Sequence, residues 1–332
     1  MKEWISLKDV AASAGVSSMT VSRALRNDPR VAHETSLRIR QAAEKLGYQS
    51  DPVIRQMMGY MRKARVRRRS EIVAFIWPDI STREAAKHPQ LMRLIQGATA
   101  RAESMGFGLD QFALKDPGLS VRRLESILKN RAVQCVILAP VFNRAHGHLR
   151  FDWSRYASVT IGLGLWRPQL HRVHSDHYGS MTLVMRKLAR LGHKRIVFIV
   201  DKMIHERMHG SWAASFLMHH PLGVVEGSKM LLISDETQTK SVAKKLHHLG
   251  AEVLVEAMND RAWWMEQFRP PDGIRLITMA YSEEYPKVPG LDQRDDLLGA
   301  HAFDMVMAQF HRRETGVPEN PKVMLCQGSW HD

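Results

Sequence analysis

The stretch GVSSMTVSRAL, residues 15–25, has the pattern of a short helix with two unlike faces. Val16, Val21 and Leu25 share one face, and their spacing predicts packing against a core. The other face carries small hydroxyls, a thioether and a guanidinium instead of the Glu/Lys mixture of an ordinary solvated helix. Its residues are Ser17, Ser18, Met19, Ser22 and Arg23. This composition indicates a helix that contacts another molecule.

The surrounding residues predict a helix-turn-helix. SLKD, residues 6–9, has the capping-box form, with Ser6 and Asp9 bonding to each other's backbone, and a helix is expected from about Leu7 to Ala14. Gly15 can take the left-handed conformation that ends it, and Ser17 can cap the second helix after a tight turn. A third helix is expected from about His33 to Leu46. Its inward residues are predicted to be Leu37, Ile39, Ala42, Ala43 and Leu46.

Positive charge is concentrated at the same end of the chain. Residues 1–70 hold 15 Lys and Arg against 6 Asp and Glu, a net charge of +9, whereas the rest of the chain has +5. The segment PVIRQMMGYMRKARVRRR, residues 52–69, contributes much of it. A polyanion would be attracted by counterion release. DNA is such a polyanion. In its major groove Arg23 can form a bidentate hydrogen bond to guanine, Met19 can contact a thymine methyl group, and the hydroxyls can reach phosphates or base edges.

After Ser70 the pattern changes to apolar strands that alternate with helices, which predicts parallel sheets joined by right-handed crossovers. About 260 residues of this texture fit two α/β lobes better than one, and the apolar fraction of 44% supports globular cores. The fold class is therefore expected to be an all-α helix-turn-helix headpiece followed by a two-lobed α/β domain.

Cysteine usage and hydropathy argue against a disulfide-stabilised, secreted or membrane-spanning protein. Cys135 lies in the apolar run VQCVILAP, and neither it nor Cys326 has partner-like spacing, so both are interpreted as reduced packing residues of a cytoplasmic protein. The first residues, MKEWISLKDV, lack the apolar core of a secretion signal, and no run of about 18 apolar residues suggests a membrane span.

Motifs for catalysis are not found in the sequence, so we expect no enzyme, cofactor or metal. The spacing of His171, His174 and His177 suggests metal ligands, but no HExxH motif or Cys/His cluster accompanies them. Their alternative role is hydrogen bonding. GLGLWRP is not a phosphate-binding glycine motif, and no GxSxG occurs. The adjacent pairs Glu283-Glu284 and Asp295-Asp296 are interpreted as solvated.

The run SLKDVAASAGVSSMTVSRALRNDPRV, followed by LGYQSDP, closely resembles the DNA-binding headpiece of LacI/GalR-family transcriptional regulators. The later stretches DHYG (residues 176–179), LGHKRI (191–196) and Asn259-Asp260 resemble signatures of that family's effector domain. The resemblance is specific over residues 6–57 and looser beyond. It implies a periplasmic-binding-protein-like effector domain, with a small molecule between its lobes.

For DNA, the resemblance assigns base reading to Ser18, Met19 and Arg23 and phosphate contacts to Ser17, Thr20 and Ser22. Further expected DNA-binding residues are Arg26, Tyr48, Arg55 and Met57. Tyr48 opens the family's hinge segment, and Met57 stands where an apolar wedge enters the minor groove. The chain departs from the family at Ser50-Asp51, Ile54, Arg26 and Ala32, so the resemblance predicts DNA binding but not the operator sequence.

For the effector, the resemblance assigns ligand contacts to Arg207 and Asn259, and it places Gln293 in a crossover between the lobes. The alternative role of Arg207 is a salt bridge. Two carboxylates common in sugar-binding members are missing, one near Gly162 and the other at Ser282. Trp77 and Trp166, at strand ends, could stack on a ligand ring or pack in the core or rim. A carbohydrate is the family's default ligand.

The expected domains are a DNA-binding domain at 1–50, a hinge helix and basic linker at 51–70, and an effector domain at 71–332. Lobe 1 is expected at about 71–163 plus 294–322, and lobe 2 at about 164–292 plus 323–332. The leading hypothesis is a ligand-controlled regulator, a repressor by default, that binds a pseudo-palindromic operator as a homodimer. Alternatives are a purine-type corepressor-dependent regulator, an architectural DNA-binding protein with a vestigial cleft, and a DNA-tethered enzyme.

Overall fold

The computed structural model describes residues 7–24, 31–46, 71–143, 147–234, 239–259, 264, 266, 268–282 and 288–332. They fall into two compact units, one within residues 1–69 and one within 70–332. Among the helices of these ranges, none combines the length and the apolar character needed to cross a membrane.

The first unit is built on three helices, α1 (Leu7–Ala14), α2 (Ser18–Ala24) and α3 (His33–Lys45). Gly15 has φ +63°, and the amide of Val16 returns to the carbonyl of Ala11 at 3.1 Å, so α1 ends as the sequence predicts. Buried side chains from all three helices meet in one small core. They are Val10, Ala11, Ala14, Val21, Ala24, Ile39 and Ala43.

Leu37 departs from the sequence prediction. It was expected to point inward from α3, but it is 48% exposed. Leu37 lies two residues before the buried Ile39, and two residues turn an α-helix by about 200°, so the two side chains point to opposite sides. The helical pattern of Ile39 and Ala43 determines the buried face.

The second unit begins with a lobe that alternates strands and helices. In chain order its elements are β1 (Ile72–Trp77), α4 (Thr82–Ala85), α5 (Pro89–Ser104), β2 (Gly108–Ala113), α6 (Val121–Asn130), β3 (Cys135–Leu138), a 3₁₀ turn (Trp153–Arg155), β4 (Ala157–Ile161) and β5 (His171–Ser175). The chain then enters the second lobe.

The second lobe repeats this alternation. Its elements are α7 (His177–Arg190), β6 (Ile196–Asp201), α8 (Lys202–Arg207), α9 (Ser211–Met218), α10 (Gly223–Lys229), β7 (Leu231–Ser234), α11 (Thr239–His248), β8 (Val253–Ala257), β9 (Arg275–Thr278) and β10 (Gly290–Asp292). The chain returns to lobe 1 with α12 (Asp295–Arg312) and β11 (Val323–Cys326), and it ends in lobe 2 with β12 (Ser329–His331).

Each lobe has a six-stranded sheet, in the order β11-β5-β4-β3-β1-β2 and β12-β10-β9-β8-β6-β7. All neighbours are parallel except β10 and β12. The predicted lobe boundary is wrong at two places, because residues 171–175 and 323–326 belong to lobe 1. β5 pairs with β4 and β11 pairs with β5, so the backbone hydrogen bonds of these strands tie them to the first sheet.

The three connections between the lobes lie side by side. The amide of Asp176, in the first connection, donates to the carbonyl of Cys326 in the third at 2.7 Å. A Cβ built on Gly328 would come within 2.9 Å of the carbonyl oxygen of Asp292, so the third connection also touches the second. Any change in the angle between the lobes must be accommodated in this bundle of connections.

Helix α12 packs tightly on α5 in lobe 1. A Cβ built on Gly97 would overlap the carbonyl oxygen of Asp296, and one built on Gly299 would overlap that of Leu94. The two helices therefore approach each other through two glycines. The same helix holds β4, because the side-chain amide of the buried Gln309 accepts from the backbone amide of Ser158 at 3.2 Å and donates to its carbonyl at 3.1 Å.

We expect Gly299→Ala to destabilise the second unit by about 1–3 kcal/mol, since overpacking outweighs the gain of about 1 kcal/mol in helix propensity. Urea unfolding of the full chain measures the change. Glu103→Ala, at an exposed position of α5, is the control and should change stability little. A Gly299→Ala variant as stable as the parent would contradict the close contact of the two helices.

Candidate functional site

The surface of the first unit that could meet DNA is formed around α2. Ser17 precedes this helix, and its Oγ accepts from the amide of Thr20 at 3.1 Å and lies 2.8 Å from Thr20 Oγ1. Ser17 is exposed and Thr20 and Arg23 are half-buried, whereas Val21 is fully buried. The structure therefore confirms the predicted cap, and it separates the core face of α2 from the face that carries Arg23.

The other predicted DNA contacts fall into two groups, one within α2 and one outside the described residues. Ser18, Met19 and Ser22 lie in α2 by their backbone. The remaining predicted positions lie outside the described residues, as does the whole predicted hinge and linker at 51–70. They are Arg26, Tyr48, Arg55 and Met57.

In the second unit, Arg207 reaches from one lobe to the other. It is the last residue of α8 in lobe 2, and its guanidinium lies 5.2 Å from the centre of the Phe142 ring, which follows β3 in lobe 1. Burial lowers the pKa of Arg207, and the charges of Asp201 and Asp79 oppose that shift. Within the described ranges, no carboxylate lies within ion-pair distance of it. A salt bridge was the alternative role considered for Arg207. No such salt bridge is found among the described residues.

The two carboxylates near Arg207 are bonded to backbone amides. Asp79 Oδ2 accepts from the amides of Phe142 and Asn143, both at 2.7 Å. Asp201 Oδ1 accepts from the first amides of α8, those of Met203 at 2.8 Å and Ile204 at 3.3 Å. These bonds fix the loop that carries Phe142 and the start of the helix that carries Arg207.

A buried aromatic cluster lies beside Arg207. His177, at the start of α7, stacks on His174 at 5.7 Å and makes an edge contact with Trp212 at 5.5 Å. Burial lowers the pKa of His177 to about 3, and the charges of His174, Arg207 and His209 add to the shift. The three predicted histidines are thus not one ligand set, since His171 Nδ1 instead accepts from the amide of Lys322 at 2.9 Å.

A cavity of about 520 Å³ opens between the lobes next to the second connection. Ser282, buried after β9, is one of its lining residues, as are Tyr281 and His331, whose rings stack at 4.5 Å. Gln293 lies nearby in the chain, and its Nε2 donates to the carbonyl of Met279 at 2.8 Å. The volume is in the range of small-molecule sites.

The other predicted effector residues do not gather at that cavity. Asn259 is exposed two residues after β8. Trp166 is 48% exposed, at 6.2 Å from His148, in a loop whose carbonyls at Gly162 and Leu165 accept from the buried Arg172 at 2.5 Å. The Trp166 side chain is thus partly exposed at the surface.

Trp77 is not available to a ligand, and the prediction that it could stack on one is contradicted. It is 0% exposed inside lobe 1, tilted against Phe75 at 5.0 Å, and its Nε1 donates to Gln111 Oε1 at 3.0 Å. A strand-end position could not distinguish the two roles, because the last residue of a parallel strand still lies under the flanking helices.

The sequence did not indicate the ion pair that joins the lobes at the cavity. Arg93 on α5 binds Asp292 at 2.9 and 3.0 Å and Asp296 at 3.1 Å. Asp295 was expected to be solvated, but it is half-buried, and burial raises its pKa to about 7. Residues about 200 positions apart meet here, so local spacing carried no signal.

Comparisons with known proteins identify the first unit. Residues 6–51 match the family model described as bacterial regulatory proteins, lacI family. The HTH-type transcriptional regulator MalR of Streptomyces coelicolor (strain ATCC BAA-471 / A3(2) / M145) is 30% identical over 200 residues, which are 57% of this chain and 52% of that protein. The chain thus spans about half the length of the curated relatives it matches first.

Two solved structures share the whole fold. The transcriptional regulator CelR–cellobiose complex has a TM-score of 0.54 at 17% identity, and the Lac repressor dimer bound to operator and the anti-inducer ONPF has 0.53 at 15%. Each likeness covers 99% of this chain and 98% of the other.

The class of protein follows from these findings: a helix-turn-helix domain joined to a two-lobed α/β domain of the Lac repressor type. More particularly, residues 6–51 match the lacI-family model, and the predicted resemblance of this region to LacI/GalR-family regulators is confirmed.

We expect His177 to make the second unit less stable in acid. The pKa of His177 is about 3 in the folded chain, compared with an ordinary value of 6.5. The stability that neutral His177 contributes is therefore complete above pH 6.5 and is lost as the pH falls toward 3. The free energy of unfolding should fall by about 1.4 kcal/mol per pH unit more in the parent than in His177→Gln. Urea titrations between pH 7 and 4.5 measure this.

The exposed His248 on α11 provides the control. His248→Gln should keep the pH slope of the parent. An unchanged slope in His177→Gln would mean that His177 is not held neutral by its surroundings.

Proposed function

We propose that this chain is a sequence-specific DNA-binding transcriptional regulator whose operator affinity depends on a small molecule bound between its two α/β lobes. The observation that carries the proposal is the capped helix α2. Its buried Val21 anchors it on α1 and α3, and Arg23 lies on another face. That arrangement suits insertion of the outward face into a major groove.

The curated relative and both solved structures are named as transcriptional regulators or repressors, which supports the regulatory part of the proposal. Repression is the default direction. The cavity between the lobes and the partly buried Arg207 at the opposite lobe's Phe142 support the ligand part. A carbohydrate is the default ligand, in keeping with the cellobiose of the CelR complex.

The proposed DNA contacts are the polar residues and Met19 of α2, its cap, Arg26 after the helix, and residues at the start of and within the predicted hinge. They are Ser17, Ser18, Met19, Thr20, Ser22, Arg23, Arg26, Tyr48, Arg55 and Met57. The net charge of residues 1–70 favours a phosphate backbone. The proposed ligand contacts are Arg207, Ser282, Gln293, Asn259 and Trp166.

The first test uses Arg23→Ala. We expect it to weaken specific binding by about 1–3 kcal/mol and to relax the preference at one operator position, because a bidentate contact to a base is lost. Selection of bound sequences from a random DNA library gives the operator, and titration of single-base variants gives the preference.

Arg38→Ala is the matched control, since it removes the same charge from an exposed position of α3. It should keep the preference of the parent at every position. If both variants lost affinity by the same factor on all sequences, Arg23 would contact phosphate and the assignment to base reading would be wrong.

We further expect a homodimer on a pseudo-palindromic operator, because one headpiece reads only a few base pairs and a two-fold protein matches two half-sites. Sedimentation equilibrium at micromolar concentration, without and with DNA, measures the stoichiometry. A chain that remains monomeric in both conditions would rule this out.

A further inference from the structure

The guanidinium of Arg93 is shared between the two lobes. Arg93 lies on α5 in lobe 1 and makes two hydrogen bonds, at 2.9 and 3.0 Å, to the carboxylate of Asp292, the last residue of β10 in lobe 2. A third bond, at 3.1 Å, joins Arg93 to Asp296 on α12, which packs in lobe 1. A bidentate contact fixes an orientation as well as a distance. A rotation of one lobe against the other therefore breaks the pair, even close to the pivot.

Asp292 remains charged although it is only 7% exposed. Burial would raise its pKa, but the hydrogen bonds from the Arg93 side chain and the Arg294 amide hold that pKa below its ordinary value. The carboxylate is therefore ionised at neutral pH. Because a buried charge is costly without its partner, the contact with Arg93 is a strong constraint on the position of lobe 2.

The same carboxylate holds an unusual turn of the backbone. Arg294, in the second connection, has φ +56° and ψ 50°, a left-handed conformation that is strained for a residue with this side chain. Its amide donates at 2.8 Å to Asp292 Oδ1, the oxygen that also accepts from Arg93. Apart from glycines, the other described residues with positive φ each lie inside one lobe; they are Ala132, His209 and Arg313. Strain between the lobes is thus found where the ion pair can maintain it.

Both partners of the ion pair have another polar group close by in their own lobe. Arg93 is bonded to Asp296 as well, and both belong to helices of lobe 1. Asp292 Oδ2 lies 3.8 Å from His331 Nε2 on β12, which belongs to lobe 2. Separation of Arg93 from Asp292 therefore leaves neither side chain isolated. A second lobe angle is accessible for this reason.

We propose that Arg93, Asp292 and Arg294 form a latch that holds the two lobes at the angle seen here. When the lobes rotate, the Arg93–Asp292 pair breaks and the left-handed turn at Arg294 is released. Arg93 and Asp292 also line the cavity of about 520 Å³ beside the second connection, so a molecule bound there contacts the latch. The inference goes beyond the proposed function, because the latch acts within the second unit whether or not the chain binds DNA.

The test measures the distance between the lobes in the full chain by double electron–electron resonance. Spin labels are attached to Ser126→Cys on α6 in lobe 1 and Lys244→Cys on α11 in lobe 2, both exposed positions. The two native cysteines are buried, so the label reacts at the introduced ones. The labelled parent should show one main distance, that of the latched lobes.

Arg93→Gln should lower the ratio of the latched distance to longer or shorter ones by about tenfold, because it removes hydrogen bonds between charged groups. Arg93→Lys keeps the charge but not the bidentate geometry and should have a smaller effect. Arg101→Gln is the matched control. It breaks a 2.7 Å pair with Asp304 that joins the same two helices, α5 and α12, inside lobe 1, and it should keep the distances of the parent.

Two substitutions of Arg294 separate the backbone turn from the charge. Proline cannot adopt a φ of +56° and has no amide hydrogen to donate to Asp292, so Arg294→Pro should shift the distances as Arg93→Gln does. Asparagine removes the same charge but tolerates the left-handed conformation. Arg294→Asn should therefore keep the distances of the parent.

Circular dichroism checks that each variant folds, and if Arg294→Pro does not fold, the Arg93 variants decide. Parental distances in both Arg93→Gln and Arg294→Pro would overturn the inference. So would a shift in Arg101→Gln as large as that in Arg93→Gln, since the effect would then come from the packing of α5 on α12 and not from a contact between the lobes.

Discussion

Helix α12 must return to lobe 1 after the chain has built most of lobe 2, and the arrangement of the second unit depends on how closely that helix packs on α5. Gly97 and Gly299 let the two backbones meet where any side chain would overlap a carbonyl. The N-terminus of α12 is thereby held near α5, and Asp292 and Asp296 come within reach of Arg93. One steric constraint thus places the second connection between the lobes.

The connections and the cleft form one mechanical system. Asp176 is bonded to the third connection through its amide, and its side chain caps α7, whose first residue is His177. A rotation of the lobes would therefore move the His177 and Trp212 rings together with the connections between the lobes. Desolvation keeps His177 neutral and lowers the pKa of Arg207, so the inner end of the cleft holds polar groups whose energies are sensitive to what fills it.

The headpiece is stabilised by a much smaller hydrophobic core than the lobes. Its core is a few small aliphatic side chains from three short helices, and the turn depends on Gly15 and on the Ser17 cap. A core of this size stabilises a fold only modestly, so local capping contributes a large share of what fixes α2. The face of α2 that carries Arg23 lies apart from this core.

The sequence by itself determined the helices of the headpiece, the alternation of strands and helices after Ser70 and the burial of Cys135, because capping residues, glycines and apolar periodicity act over a few positions. It could also place Arg207 and Ser282 between the lobes, through motif resemblance. It failed for Leu37 and Trp77, where burial depends on which face a neighbouring element covers.

Only the tertiary structure decided where the chain passes between the lobes, since β5 and β11 could have joined either sheet until their partners were known. The same holds for the contact of Arg93 with Asp292 and that of Arg207 with Phe142. These pairs are far apart in the chain, and the packing of helices and sheets brings them together. The local sequence determines whether a segment can form a helix or a strand. The charge and burial of a site depend instead on distant segments that fold around it.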